Sequence, residues 1–217
     1  MVVKRVAARI RSAPHAPCLE AELGFSAAAP ADARREAFFL PPIESSRTHM
    51  PISMYDACVP VMIRTLRNLS AILEKGAASA EARKIDPAVL IGARLAPDMH
   101  PLSRQVQIAS DSAKGAAARL TGGEAPSFAD TETTFPELQA RITRTIDYLE
   151  AFKPAQFDGA DERSIVLKTP GGDLTFRGQA FLFNFALPNL LFHATTAYAI
   201  LRHNGVDIGK RDFLGGS

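Results

Sequence analysis

The feature that most constrains this chain is an unbroken apolar stripe between residues 102 and 120. Apolar residues recur there at alternating spacings of four and three: Leu102, Val106, Ala109, Ala113, Ala116 and Leu120. This spacing places all of them on one face of an α-helix. The alanines among them allow a neighbouring helix to approach closely. The stripe therefore predicts a helix of a bundle, which we call helix two and which ends at Gly122 and Gly123.

Helical spacing of apolar residues predicts three further long helices. Helix one runs from about Ser53 to a stop at Gly76, and a short helical piece follows Asp86. Helix three covers residues 133–152, and helix four covers residues 187–205. Four long amphipathic helices in one chain predict an all-α protein with a four-helix bundle.

The connections between these helices predict the topology. Residues 122–134 form a linker between helices two and three. Extended at ~3.3 Å per residue, such a linker can span a helix of ~20 residues, so helices two and three can run parallel. Residues 163–178 change to a period near two around a Thr-Pro-Gly-Gly turn, which predicts a small β-hairpin between helices three and four. Pro188 either begins helix four or bends it.

Composition excludes several classes of function. Hydrophobic residues make up 47% and charged residues 22% of the chain, which is typical of a globular protein. The 25 basic and 23 acidic residues nearly cancel, so we expect no nucleic-acid partner and no membrane surface. No apolar run approaches the roughly 18 residues of a membrane-spanning helix. The two cysteines are too few for a disulfide framework, and we expect a reducing, cytoplasmic setting.

The first 49 residues differ from the rest, because their apolar residues follow no sustained period. We expect residues 1–49 to be a disordered N-terminal extension or a misassigned start, with a targeting segment as the further alternative. The folded domain is expected to cover residues 50–217.

Three blocks carry a resemblance to a known family: MYDACVPVMIRTLRNLSAIL, RLAPDMHPLSRQVQIASDSAKGAAARL and LPNLLFHATTAYAILRHNGVDIGKRDFLG. From Ser53 to Gly215 the chain resembles the uncharacterised bacterial DUF1993-type family of the DinB-like and YfiT-like superfamily. That superfamily includes bundles assigned as metalloenzymes and thiol-dependent transferases and isomerases. The resemblance implies an up-down-down-up four-helix bundle and a homodimer, and it implies no established reaction.

The resemblance also implies a metal site, of which this chain keeps only a part. The superfamily places a divalent metal, such as zinc or nickel, on one histidine near the start of helix two and on an H-x-x-x-H pair in helix four. His100 and His193 match the first two positions, whereas Ala197 occupies the third and cannot bind a metal. Asn189 and Thr196 share a helical face with His193, so we consider them candidate ligand-binding residues.

Two interpretations of function remain open, and the sequence does not decide whether the protein is an enzyme. In the first, His100 and His193 hold a divalent metal or act as neutral imidazoles toward a small thiol or carbonyl compound. In the second, the protein is a non-catalytic dimeric bundle that serves as a sensor or accessory protein, with structural histidines and with His100 capping helix two. A homodimer is expected because helix one carries Val61 and Ile72 beyond its main apolar seam.

Overall fold

The structure is a computed structural model that describes residues 52–169 and 171–216, and it is mainly helical with one β-hairpin. The expectations for residues 1–49 lie outside the described residues. The elements in chain order are α1 (Met54–Ala82), α2 (Pro87–Gly92), α3 (Leu102–Thr121), α4 (Phe135–Glu150), a 3₁₀ turn (Pro154–Phe157), β1 (Ser164–Thr169), β2 (Gly172–Arg177), α5 (Gly178–Phe181), a π-helical turn (Leu182–Ala186), α6 (Leu187–His203) and α7 (Lys210–Leu214). Predicted helices one to four correspond to α1, α3, α4 and α6.

Local hydrogen bonds explain where the long helices begin and end. Ser53 Oγ accepts a hydrogen bond from the Asp56 amide at 3.0 Å and caps α1. Thr134 and Glu137 form a capping box at the start of α4, in which each side chain accepts from the other residue's amide. Gly122 ends α3 in the left-handed conformation, with φ at 78°.

The predicted stop of helix one at Gly76 was wrong, since α1 continues to Ala82. Gly76 is buried, and a Cβ atom there would lie 3.2 Å from the Leu201 side chain and 3.3 Å from that of Phe135. This glycine therefore serves close packing inside the helix rather than its termination.

Helix α3 lies at the centre of the packing. It packs against α4 and α6, and α1 packs against the same two helices. All residues of the predicted stripe are buried, and Ala109 and Ala113 are completely inaccessible to solvent. The stripe is thus confirmed as the core face of α3. Among residues 52–169 and 171–216, none of the helices combines the length and the hydropathy that crossing a bilayer requires.

The predicted hairpin is present, with β1 and β2 paired antiparallel and Ile165 opposite Phe176. The chain then enters α5, the π-helical turn and α6 without leaving helical backbone angles. Pro188 lies in the first turn of α6 and has no amide hydrogen to donate to the preceding turn. The wider π turn directly before it accommodates this missing hydrogen bond.

An ion cluster fixes the segment that joins α3 to α4, and the sequence analysis did not predict it. The Arg141 side chain of α4 is fully buried. Its guanidinium lies 3.0 Å from Glu132 and 3.0 Å from Asp130 of the connecting segment, and 2.8 Å from Asp111 of α3. It also donates to the Ala129 carbonyl at 3.0 Å. One cation therefore ties the connecting segment to both helices.

We predict that Arg141→Met lowers the free energy of unfolding by about 3–5 kcal/mol, because removal of the buried cation takes the closest positive charge from the buried Glu132 carboxylate. Urea denaturation of the variant and the unsubstituted protein measures this difference. Arg144→Met is the matched control, since Arg144 approaches the same Glu132 carboxylate but is exposed. We expect the control to cost less than about 1 kcal/mol. Equal losses in the two variants would contradict the role of the buried cluster.

Candidate functional site

The candidate site is built around His193 of α6, which is buried, with 9% of its surface exposed to solvent. Its Nδ1 atom lies 2.7 Å from Oε1 of Gln105 on α3. The Gln105 amide nitrogen donates to the His100 carbonyl at 3.0 Å. Because that amide orientation leaves Gln105 Oε1 as an acceptor, Nδ1 of His193 must carry the proton.

The fixed tautomer leaves the Nε2 lone pair of His193 available. Within the described part of the chain, Nε2 has no hydrogen-bond partner, and it is not among the fully enclosed polar atoms. The Phe192 ring lies edge-on to the imidazole, with ring centroids 5.2 Å apart. His193 therefore presents one oriented basic nitrogen at the edge of the α3–α6 interface.

Burial lowers the pKa of His193 below its ordinary value, and the nearby basic side chains of His100 and Arg104 lower it further. The imidazole is therefore neutral at pH 7. A neutral imidazole with a free Nε2 can ligate a metal ion, accept a hydrogen bond or accept a proton.

His100 lies in the segment before α3, and its side chain is exposed. Its carbonyl accepts the hydrogen bond from the Gln105 amide. The alternative in which His100 caps helix two was wrong. Pro101 occupies the N-cap position of α3, where no side chain accepts a hydrogen bond. The His100 imidazole is thus not used to satisfy the helix terminus.

The remaining candidate residues make no hydrogen bond to the His193 ring within the described part of the chain. Asn189 donates from its amide to Ser112 Oγ at 2.7 Å, and Thr196 donates to the carbonyl of Phe192 in its own helix at 2.8 Å. Ala197 is completely buried. In residues 52–169 and 171–216, no three His, Cys, Asp or Glu side chains gather in a group that could hold a metal ion. The site thus brings together His193, Gln105 and the backbone of His100.

The model of the DUF1993 family, a domain of unknown function, matches residues 54–214. The chain belongs to this family. A DinB family member protein from Shewanella denitrificans, known from a crystal structure, is 48% identical to it. That match covers 75% of this chain and 92% of the other, with a TM-score of 0.69. Among curated proteins no match was found. The DinB-like resemblance is confirmed, while DUF1993 membership by itself assigns no reaction.

Gln105 is the site residue that the sequence analysis missed in this DUF1993 chain. The signal was present, because Gln105 lies three residues after Leu102 and four before Ala109 and so falls on the apolar face of α3. A glutamine on such a face needs a hydrogen-bond partner. Its partner lies 88 residues away in the chain, which only the tertiary fold reveals.

We predict that His193 makes the protein less stable in mild acid. Its folded-state pKa lies below the unfolded value of about 6.5, so the unfolded chain binds the proton first as the pH falls. The free energy of unfolding should therefore decrease as the pH falls from about 6.5 toward the folded-state pKa. Above about pH 6.5 both states hold a neutral imidazole, so His193 adds no pH dependence there.

Urea unfolding at about pH 7.5 and about pH 5.5 with EDTA present tests this dependence. The loss on acidification should be smaller in His193→Asn than in the unsubstituted protein. His203→Asn is the control, because His203 is exposed near the end of the same helix. An unchanged acid loss in His193→Asn would contradict the prediction.

Proposed function

We propose that this DinB-like protein has a degenerate two-histidine site, in which Nε2 of His193 binds a divalent cation or a small ligand. The observation that carries the proposal is the Gln105 contact, which fixes the His193 tautomer and leaves Nε2 free. Histidines that bind metals typically donate their other ring N–H to a carbonyl or carboxylate oxygen, and this contact orients the ring. His193 already has that arrangement.

The same proposal includes the up-down-down-up four-helix bundle. Thr121 at the end of α3 and Tyr148 near the end of α4 line one cavity, which supports parallel α3 and α4. Along α6, Asn189 contacts Ser112 while His193, further along, contacts the earlier Gln105. This reversed order supports antiparallel α3 and α6. The connecting segment held by Arg141 then serves as the crossover.

The residues present fit a weakly held zinc or nickel ion. His193 supplies an oriented Nε2. The exposed imidazole of His100 is the second candidate ligand, and the His100 carbonyl accepts a hydrogen bond from Gln105. The third histidine position of the superfamily is Ala197, so water would complete the coordination. Such an ion would supply Lewis-acid chemistry toward a small thiol or carbonyl compound. The protein's own part is to orient Nε2 and to keep the imidazole unprotonated.

The second candidate function is a non-catalytic dimeric bundle that acts as a sensor or accessory protein. The observation that favours it is that Nδ1 of His193 already joins α3 to α6 through Gln105. In that case the imidazole contributes to stability, and Ala197 marks a site that no longer binds metal.

Zinc titration of the full chain by calorimetry separates these two functions. For the metal site we expect saturable binding that His193→Ala abolishes and His100→Ala weakens. Gln105→Leu should weaken the affinity about 10–100-fold, as is typical when a residue that orients a metal ligand is lost. His203→Ala should leave binding unchanged. If the unsubstituted protein binds no zinc, or if His193→Ala binds it equally well, the metal site is wrong and the structural interpretation is favoured.

We also propose a homodimer through exposed apolar residues of α1, α6 and α7: Val61, Leu191, Phe192 and Leu214. Leu191 lines two neighbouring surface cavities and so lies in the middle of this group. Ile72, which the sequence analysis included in the dimer surface, is instead buried in the core. Exposed apolar groups of this kind mark contact surfaces.

Light scattering should give twice the chain mass of 23.4 kDa. We expect Leu191→Glu to yield a monomer, because a carboxylate would be desolvated at the contact. Val166→Glu is the control, since Val166 is also exposed and apolar but lies on the hairpin. A monomeric unsubstituted protein at micromolar concentration would contradict the dimer.

A further inference from the structure

We propose that a second cavity, between α3, the π-helical turn and β1, binds a small organic carboxylate with an aromatic or apolar body. The cavity has a volume of about 280 Å³, near the lower end of the range for small-molecule sites. Its wall combines cationic, polar and aromatic side chains, among them Ser112, Arg119, Lys168, Phe181, Phe185 and Asn189.

Two cations in the cavity wall lack acidic partners among the residues that the structure describes. Neither Arg119 nor Lys168 has an ion pair within residues 52–169 and 171–216, although Asp173 lies opposite Lys168 in the hairpin. The Arg119 side chain extends back along α3 over Gly115, where a Cβ atom would collide with the guanidinium. A glycine in the middle of a helix is less favourable than alanine. Here it makes room for the Arg119 guanidinium at the cavity.

The one carboxylate in the cavity wall is already neutralised. Asp111 accepts from Arg141 at 2.8 Å and from Lys114 at 2.9 Å. The two unpaired cations therefore determine the charge that the cavity attracts. A guanidinium binds a carboxylate with two parallel hydrogen bonds, and an ammonium adds a point charge.

Aromatic rings form the apolar part of the cavity. Phe181 and Phe185 stack with ring centroids 5.9 Å apart and an interplanar angle of 20°. Phe185 and the neighbouring Ala186 belong to the π-helical turn, and such turns recur at functional sites. An anion without an apolar body would leave this surface unused, so the arrangement favours an aromatic or branched carboxylate.

Asn189 adds a polar group at the other side of the cavity. One N–H of its amide goes to Ser112 Oγ, and Ser112 donates to the Ile108 carbonyl. The second N–H of the Asn189 amide has no hydrogen-bond partner in the described part of the chain, so it can donate to a carboxylate oxygen. Ser112 lies seven residues after Gln105 on α3, ~10 Å along the helix, and Asn189 lies about one turn before His193 on α6. None of His100, Gln105 and His193 lines the cavity, so the carboxylate site and the proposed cation site have no residue in common.

Calorimetric titration of the full chain with three probes tests this inference. We expect phenylacetate to bind at least about tenfold more tightly than phenylacetamide, which lacks the charge, and than acetate, which lacks the ring. Equal affinity for the amide would show that the cations are not used, and equal affinity for acetate would show that the rings are not used. Either result, or no binding of phenylacetate, overturns the proposal.

Variants locate the bound probe. Arg119→Met and Lys168→Met should each reduce the phenylacetate affinity about tenfold. Gly115→Ala should reduce it as well, because the new methyl group displaces the guanidinium. Arg211→Met is the matched control, since Arg211 is exposed in α7 and lies outside the cavity. His193→Ala should leave phenylacetate binding unchanged. Unchanged affinity in Arg119→Met, or an equal loss in Arg211→Met, overturns the assignment to this cavity.

Discussion

The close approach of α3 to its neighbours is the constraint on which the rest of the structure depends. Its alanine stripe brings the helix backbones near enough for short polar side chains to meet. Ser110 and Thr145 pair at 3.1 Å between α3 and α4, and Asn189 reaches Ser112 at 2.7 Å between α6 and α3. Larger residues on the stripe would separate the helices and leave these buried polar groups without partners. The Gln105–His193 contact depends on the same short separation.

The buried charge cluster belongs to the same arrangement. Arg141 holds the segment from α3 to α4 through two of its carboxylates and one of its carbonyls, and it pairs with Asp111 of α3 as well. Phe128 of that segment lies against the cations of Lys114 and Arg144. Burial of a guanidinium is costly, and several close carboxylates are needed to offset that cost. The cluster therefore selects one path for the segment, and that path supports the parallel order proposed for α3 and α4.

Features that depend on nearby residues could be predicted from the sequence. The period of the stripe, the glycine at the end of α3 and the hairpin around its Pro-Gly-Gly turn are local signals, and the structure confirms them. The predicted end of α1 was wrong, because Gly76 is required for close packing against the distant Leu201 and does not end its own helix. Arg141 and Gln105 were missed for the same reason. Each is polar in an amphipathic helix, and only distant parts of the chain show why it is buried.

The packing of α6 explains why a third histidine would not fit beside the candidate site. Gln105 supplies a neutral acceptor to His193, which makes the imidazole a weaker base than a carboxylate partner would. Ala197 lies one turn further along α6 but is fully enclosed in the core. A histidine there would have to displace packed side chains, at a cost of about 1–3 kcal/mol. The packing around Ala197 therefore leaves no room for a third imidazole beside His193, and the proposed cation site depends on His193 and His100.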